Sequence, residues 1–141
     1  MRDFSRAEKA LKAEGLRITR PRLVVYDYLL DNKTHPTCDQ IYHSIVNDYP
    51  HVSFSSVYNV TEKLSNSGLI LKLVSPCGEM HYDSTNCFHG HFYCLKCSCV
   101  LDLDLPDVKS FYKPISGSTT TSITISAEGI CPMCSKNEQV N

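Results

Sequence analysis

The chain has 141 residues, 42% of them hydrophobic, and a formal net charge of −1. That is apolar enough for a packed core and excludes a disordered tail. No apolar run approaches the roughly 20 residues that cross a bilayer, so no membrane partner is expected.

The length suits one ordinary domain or two very small ones. The opening MRDFSRAEKALKAEG is charged and lacks the apolar stretch of a signal peptide, so a soluble, cytoplasmic protein is expected. Eight Cys and six His are the unusual counts, and disulfides explain them poorly in a compartment where thiols stay reduced. Only Cys38 precedes residue 70. Residues 1–70 carry nine Lys/Arg against eight Asp/Glu, and residues 71–141 carry five against seven. The first 22 residues are the basic part, with seven Lys/Arg against three Asp/Glu. A basic, cysteine-poor first half and an acidic, Cys/His-rich second half suggest two small domains with separate tasks.

Helical spacing of Phe4, Ala7 and Leu11 predicts a first helix, stopped by Gly15. Thr19 is suited to cap a second, with Pro21 in its first turn and Leu23, Tyr26 and Leu30 on an apolar face. Thr37 and Gln40 have capping-box spacing before the stripe Ile41, Tyr42, Ile45 and Val46, which Pro50 closes. Ser53 can cap a fourth helix, where Val57, Val60 and Leu64 face inward until Gly68. Residues 69–74 and 80–83 then read as strands around a turn at 75–79. Farther on, 100–105 and 121–126 read as strands and 107–113 as a short helix. The class is therefore α+β.

The third and fourth helices share a short connection, as in a helix-turn-helix, and the hairpin after them would make it winged. In such folds the second helix enters the major groove of double-stranded DNA. Here it offers Ser55, Ser56, Tyr58, Asn59 and Lys63 to base edges and phosphates. Arg17 and Arg22, within the basic first 22 residues, are candidate phosphate contacts. A hairpin that merely packs, with a solvated basic face, is the plainer alternative.

Cys94-Leu95-Lys96-Cys97 and Cys131-Pro132-Met133-Cys134 are two C-x-x-C pairs separated by 33 residues. Each can place two thiolates on one ion, and together they complete a closed, structural four-cysteine site for Zn2+. A thioredoxin-like redox pair is the rival for either pair alone, and Cys99 offers an alternative ligand. Cys38, Cys77 and Cys87 have no evident partner. His89 and His91 would share one face of a strand. With Asp83 and Asp102 they form an imidazole–carboxylate set suited to Fe2+, Mn2+ or Zn2+. An incidental His-x-His is the alternative, and His43, His51 and His81 read as incidental. A metalloenzyme with an open site at His89, His91 and Asp83 would need a further acid or base, and no candidate residue stands out. A thiol-redox protein is the remaining rival.

The runs LRITRPR (16–22), HPTCDQIY (35–42), SFSSVYN (53–59), YDSTNCFHGHFYCLKC (82–97) and GICPMC (129–134) resemble the ferric uptake regulator (Fur) family, and more closely its peroxide-responsive branch. The resemblance runs from Leu16 to Cys134. It implies a winged-helix DNA-binding domain over 1–83 and an α/β dimerisation and metal-binding domain over 84–141. It further implies a homodimer on a pseudo-palindromic operator, acting as a repressor rather than an enzyme. By motif position, Cys94, Cys97, Cys131 and Cys134 match structural Zn2+ ligands. His35, Asp83, His89, His91 and Asp102 match a regulatory site for Fe2+ or Mn2+. Peroxide sensing would proceed by oxidation of a His ligand, His35 or His89; an iron- or zinc-responsive repressor without that chemistry is the alternative. Asp102 stands where relatives outside the peroxide branch often carry Glu. The stretch from Asp102 to Cys131 is a few residues shorter than in the family, and Cys87 and Cys99 are extra thiols.

Overall fold

A computed structural model describes residues 2–107, 110 and 112–139. The chain divides into two compact units, Met1–Asn86 and Cys87–Asn141.

The first unit holds four helices and a hairpin: α1 (Ser5–Ala13), α2 (Arg20–Asp31), α3 (Cys38–Ile45), α4 (Phe54–Asn66), β1 (Leu71–Val74) and β2 (Met80–Asp83). Its helix starts are set by side-chain caps. Thr19 Oγ1 accepts from Arg22 N at 3.4 Å, with Pro21 in the first turn. Thr37 and Gln40 form the reciprocal capping box, and Ser53 Oγ accepts from Ser56 N at 3.1 Å. Gly68 lies just beyond α4 with φ +80°, a left-handed conformation that glycine adopts without a side-chain clash. The inward stripes meet in one core, where Leu11, Leu29, Ile41, Val57 and Leu64 are fully buried. Burying each such side chain is worth about 1.5–3 kcal/mol. The hairpin is antiparallel, with Val74 opposite Met80 and Leu71 opposite Asp83. Helix pair plus hairpin is the winged helix-turn-helix expected from the spacing.

The second unit is a three-stranded sheet and one helix: β3 (Gly90–Cys94), β4 (Val100–Leu103), β5 (Ser126–Gly129) and α5 (Pro132–Gln139). Strand order is β4-β3-β5, with β4 antiparallel and β5 parallel to β3. The strand expected at 121–126 is displaced, because β5 starts only at Ser126. His91 pairs with Ser126, and because β3 begins at Gly90 the ladder reaches back only as far as the bond from His91 N to Ile125 O at 3.2 Å. The helix expected at 107–113 falls partly on residues 108, 109 and 111, which lie outside the described residues. Helix α5 follows Cys131 directly, and its first residue, Pro132, is pre-organised for that position.

Candidate functional site

Three groups of side chains carry chemistry. The first lies in the second unit, where the β3–β4 turn and the start of α5 bring cysteines together. The sulfurs of Cys94, Cys97, Cys99 and Cys131 all lie within 4.8 Å of one another. Cys97 Sγ and Cys131 Sγ are 3.8 Å apart, matching the roughly 3.8 Å between thiolates in a tetrahedron with Zn–S bonds of about 2.3 Å. Backbone N–H groups point at the sulfurs: Cys97 N and Cys131 N approach Cys94 Sγ at 3.5 and 3.3 Å. These bonds favour the thiolate and hold Cys94 down to a pKa of about 6. Cys131 is lowered likewise, chiefly by the Cys134 N–H at 3.4 Å. Cys134 is buried beside them. Its thiol donates to the Cys131 sulfur, which with burial pushes it up to about 12. Burial first, and hydrogen bonds to Cys97 and Cys131 second, push Cys99 up to about 12 as well. An all-sulfur donor set at this spacing fits a structural Zn2+.

Imidazole and carboxylate side chains are also brought together within each unit. In the first unit His35 Nε2 lies 3.4 Å from Asp83 Oδ2, with both side chains about 1% exposed. Asp83 Oδ1 accepts from Thr85 N at 2.8 Å, which fixes the carboxylate plane. Ser84 is pinned by its own bond to Leu29 O at 2.6 Å and by Lys33 Nζ at 2.8 Å. His35 sits at φ +53°, a left-handed conformation uncommon for a side chain of its size. The wing holds it there: His81 Nδ1–H donates to His35 O at 2.7 Å, and Tyr82 N donates to Pro36 O at 3.0 Å.

In the second unit, register supplies the pairing. His91 and Asp102 are direct cross-strand partners on β3 and β4. His89 donates through Nδ1–H to Cys87 O at 2.8 Å. That sets its tautomer and turns Nε2 toward Asp102 Oδ1 at 3.0 Å. His91 Nε2 is 4.0 Å from the same oxygen. Gly90, between the two histidines, sits in a tight place, since a Cβ there would meet Ile125 O at 3.1 Å and the Leu103 Cβ at 3.2 Å. Two imidazoles and a carboxylate fit Fe2+, Mn2+ or Zn2+.

The third group is the surface of α4. Ser55, Tyr58, Asn59 and Lys63 are exposed and Ser56 is half-buried. The hydroxyls of Ser55 and Ser56 turn back on Ser53 Oγ at 3.0 and 2.9 Å. Ser56 and Asn59 line a shallow cleft with Thr19, Pro21, Arg22 and Val60, so the start of α2 and this face of α4 adjoin. Much of the basic N-terminal charge is already used within the unit. Arg2 pairs with Asp27 at 2.6 Å and Asp31 at 3.0 Å, Arg6 pairs with Asp31, and Lys12 pairs with Glu8 at 2.5 Å. Arg20 stacks over Phe4 and Tyr49. Arg22 instead binds Arg17 O at 2.7 Å beside the cleft, and Arg17 is exposed.

Sequence reasoning treats His81 as incidental, yet it is buried and bonded to the backbone of His35. The signal is available: in a strand, His81 and Asp83 share a face, as do His89 and His91.

A winged-helix unit joined to a small cysteine-clustered sheet with His/carboxylate sets defines a class of metal-binding regulators. The family model described as "Ferric uptake regulator family" matches residues 13–127, and the chain belongs to that family. It is 29% identical over 139 residues to the peroxide operon regulator of Bacillus subtilis (strain 168), covering 96% of each chain. Among solved structures it resembles a PerR of Streptococcus pyogenes described for peroxide sensing and gene regulation, at 28% identity and TM-score 0.52 over 95% of this chain and 94% of that one. The Vibrio cholerae ferric uptake regulator shares the fold, with TM-score 0.74 and 23% identity over 88% of this chain and 98% of that one. No described helix is long and apolar enough to cross a membrane.

Proposed function

We propose that this chain is a metal-dependent, peroxide-sensing transcriptional repressor that binds pseudo-palindromic operator DNA as a homodimer in the cytoplasm, and that it is not an enzyme. The observation that carries this reading is the Asp102 carboxylate set against both His89 and His91, in a chain whose curated relatives are named as peroxide regulators.

In this proposal Cys94, Cys97, Cys131 and Cys134 hold a structural Zn2+ that stabilises the dimerisation domain. His35 and Asp83 of the first unit join His89, His91 and Asp102 of the second as ligands of one regulatory Fe2+ or Mn2+. Ligands drawn from both units let occupancy favour one DNA-competent arrangement of the dimer, through differential affinity. Bound Fe2+ supplies the redox chemistry toward peroxide. His35 or His89 is the imidazole whose oxidation would weaken the site and release the operator. Tyr58, Asn59 and Lys63, with Ser55 and Ser56, face the major groove; Arg17 and Arg22 neutralise phosphates.

Operator affinity measured with and without Mn2+ tests the repressor reading, and a gain of about tenfold or more is expected. No gain overturns it. Mass mapping of peroxide-treated, iron-loaded protein should find one added oxygen on His35 or His89. Unmodified histidines together with iron-enhanced DNA binding would favour an iron-responsive repressor without peroxide chemistry.

A further inference from the structure

A zinc ion takes four thiolates in a closed structural site, and five of the second unit's six cysteines gather at this cluster. Both arms that approach the cluster carry a candidate for the fourth position. On the β3–β4 side, Ser98 adopts φ +62° and turns the chain back, with Ser98 N bonded to Cys94 O and Cys94 N to Cys99 O, both at 3.0 Å. That turn carries the Cys99 sulfur into the set whose members lie within 4.8 Å of one another, along with Cys94, Cys97 and Cys131. On the other side, the first turn of α5 buries Cys134 against Cys94 and Cys131, and Cys134 N donates to Cys131 Sγ at 3.4 Å. Cys134 is thus adjacent to the cluster without belonging to its tightest four.

We propose that Cys99 and Cys134 alternate as the fourth ligand of the structural zinc, with Cys94, Cys97 and Cys131 as its constant ligands. The inference rests on reading this cluster as a zinc site and goes beyond the four ligands that the family resemblance assigns. A five-thiol shell passes the ion between two thiolates without a three-coordinate stage. It also tolerates losing one of the pair. If peroxide takes either thiolate to a sulfenate, with water leaving, the other closes the site.

The test uses the full-length chain, and its first readout is zinc per chain by elemental analysis after exposure to a mild chelator. Wild type, Cys99→Ser and Cys134→Ser should each hold about one zinc, while the double variant and Cys97→Ser should hold almost none. Zinc lost from Cys134→Ser but kept in Cys99→Ser overturns the proposal, because Cys99 is then never a ligand. The reverse loss overturns it too, as does a double variant that keeps its zinc. Wild type without zinc sinks the underlying reading instead. A second measurement needs no variant. In protein loaded with cadmium-113, the metal should couple fully to the β-protons of Cys94, Cys97 and Cys131 and partially to those of both Cys99 and Cys134. Coupling to only one of that pair overturns the alternation.

Discussion

The two units are stabilised by different means. The first gathers fourteen buried apolar side chains, from Ala7 to Tyr82, into one core. In the second, the corresponding buried cluster among the described residues is Cys94, Cys131 and Cys134, with Phe92 and Cys99 packed against it. A unit of 55 residues is below the size at which apolar burial alone gives comfortable stability, and a metal is one of the usual supplements. Beside that cluster the second unit buries Tyr93 and Val100, so sulfur there supplements a short apolar set among the described residues. The general point is that a cluster of thiolates around an ion can serve as the core of a small fold, so that metal occupancy and folding become one equilibrium.

Removing the zinc should have the largest effect on the second unit. Structural zinc is worth about 10–16 kcal/mol in zinc-finger peptides, comparable to the whole stability of a typical domain at about 5–15 kcal/mol. A strong chelator, or Cys97→Ala, should abolish amide-exchange protection in β3, β4 and β5 while leaving α1–α4 protected. Protection of β3 that survives zinc removal would show that the second unit folds on its apolar contacts after all.

The converse lesion is Leu29→Ala, at a fully buried position in the first core. Cavity formation should cost about 2–5 kcal/mol, read from urea unfolding followed by helical circular dichroism. Zinc per chain should not change. If zinc falls with it, the two units do not have separate cores in the energetic sense.

The same contrast explains what is legible in the sequence. Burial of one helix face writes a period into the chain, and caps mark where it starts. Thr19, Thr37 and Ser53 are therefore readable as caps, and Val57, Val60 and Leu64 as core. In the second unit the strand expected at 121–126 is displaced because its alternation carries no information about register against β3. The C-x-x-C spacing identifies a metal cluster, but the left-handed turn at Ser98 that brings Cys99 into it has no glycine to announce it. Gly90 escapes notice for a related reason: the crowding by Ile125 O comes from a segment 35 residues away in the chain. Asp102 lies on the strand expected for it, and its cross-strand pairing with His91 is a matter of register that composition does not carry.

His81 provides an intermediate test, because it acts on His35 and Asp83, the first unit's proposed ligands, without lying in the core proper. Its Nδ1–H fixes the carbonyl of His35, which is held in a left-handed conformation. His81→Ala should weaken Mn2+ binding at the regulatory site by about 10–100-fold, the usual cost of losing a group that orients a ligand. Zinc content should be unaffected. Calorimetric titration with Mn2+ measures the effect, and unchanged affinity would mean that Pro36 and Tyr82 suffice to hold the backbone.

The smallest expected effect is that of Ser53→Ala. Ser53 Oγ caps α4 through Ser56 N and also engages the hydroxyls of Ser55 and Ser56. Loss of such a cap costs about 0.5–2 kcal/mol, and the fully buried Val57 and Leu64 behind it should keep the helix in place. Thermal unfolding should therefore shift by only a few degrees, while zinc per chain and the protection of β3–β5 stay as in wild type. One hydrogen bond removed from the first unit is spread over a core of fourteen side chains; one of the proposed zinc thiolates removed from the second would be a quarter of the ion's coordination. A Ser53→Ala protein as unstable as Cys97→Ala would show that the first unit depends on its caps as steeply as the second depends on its metal.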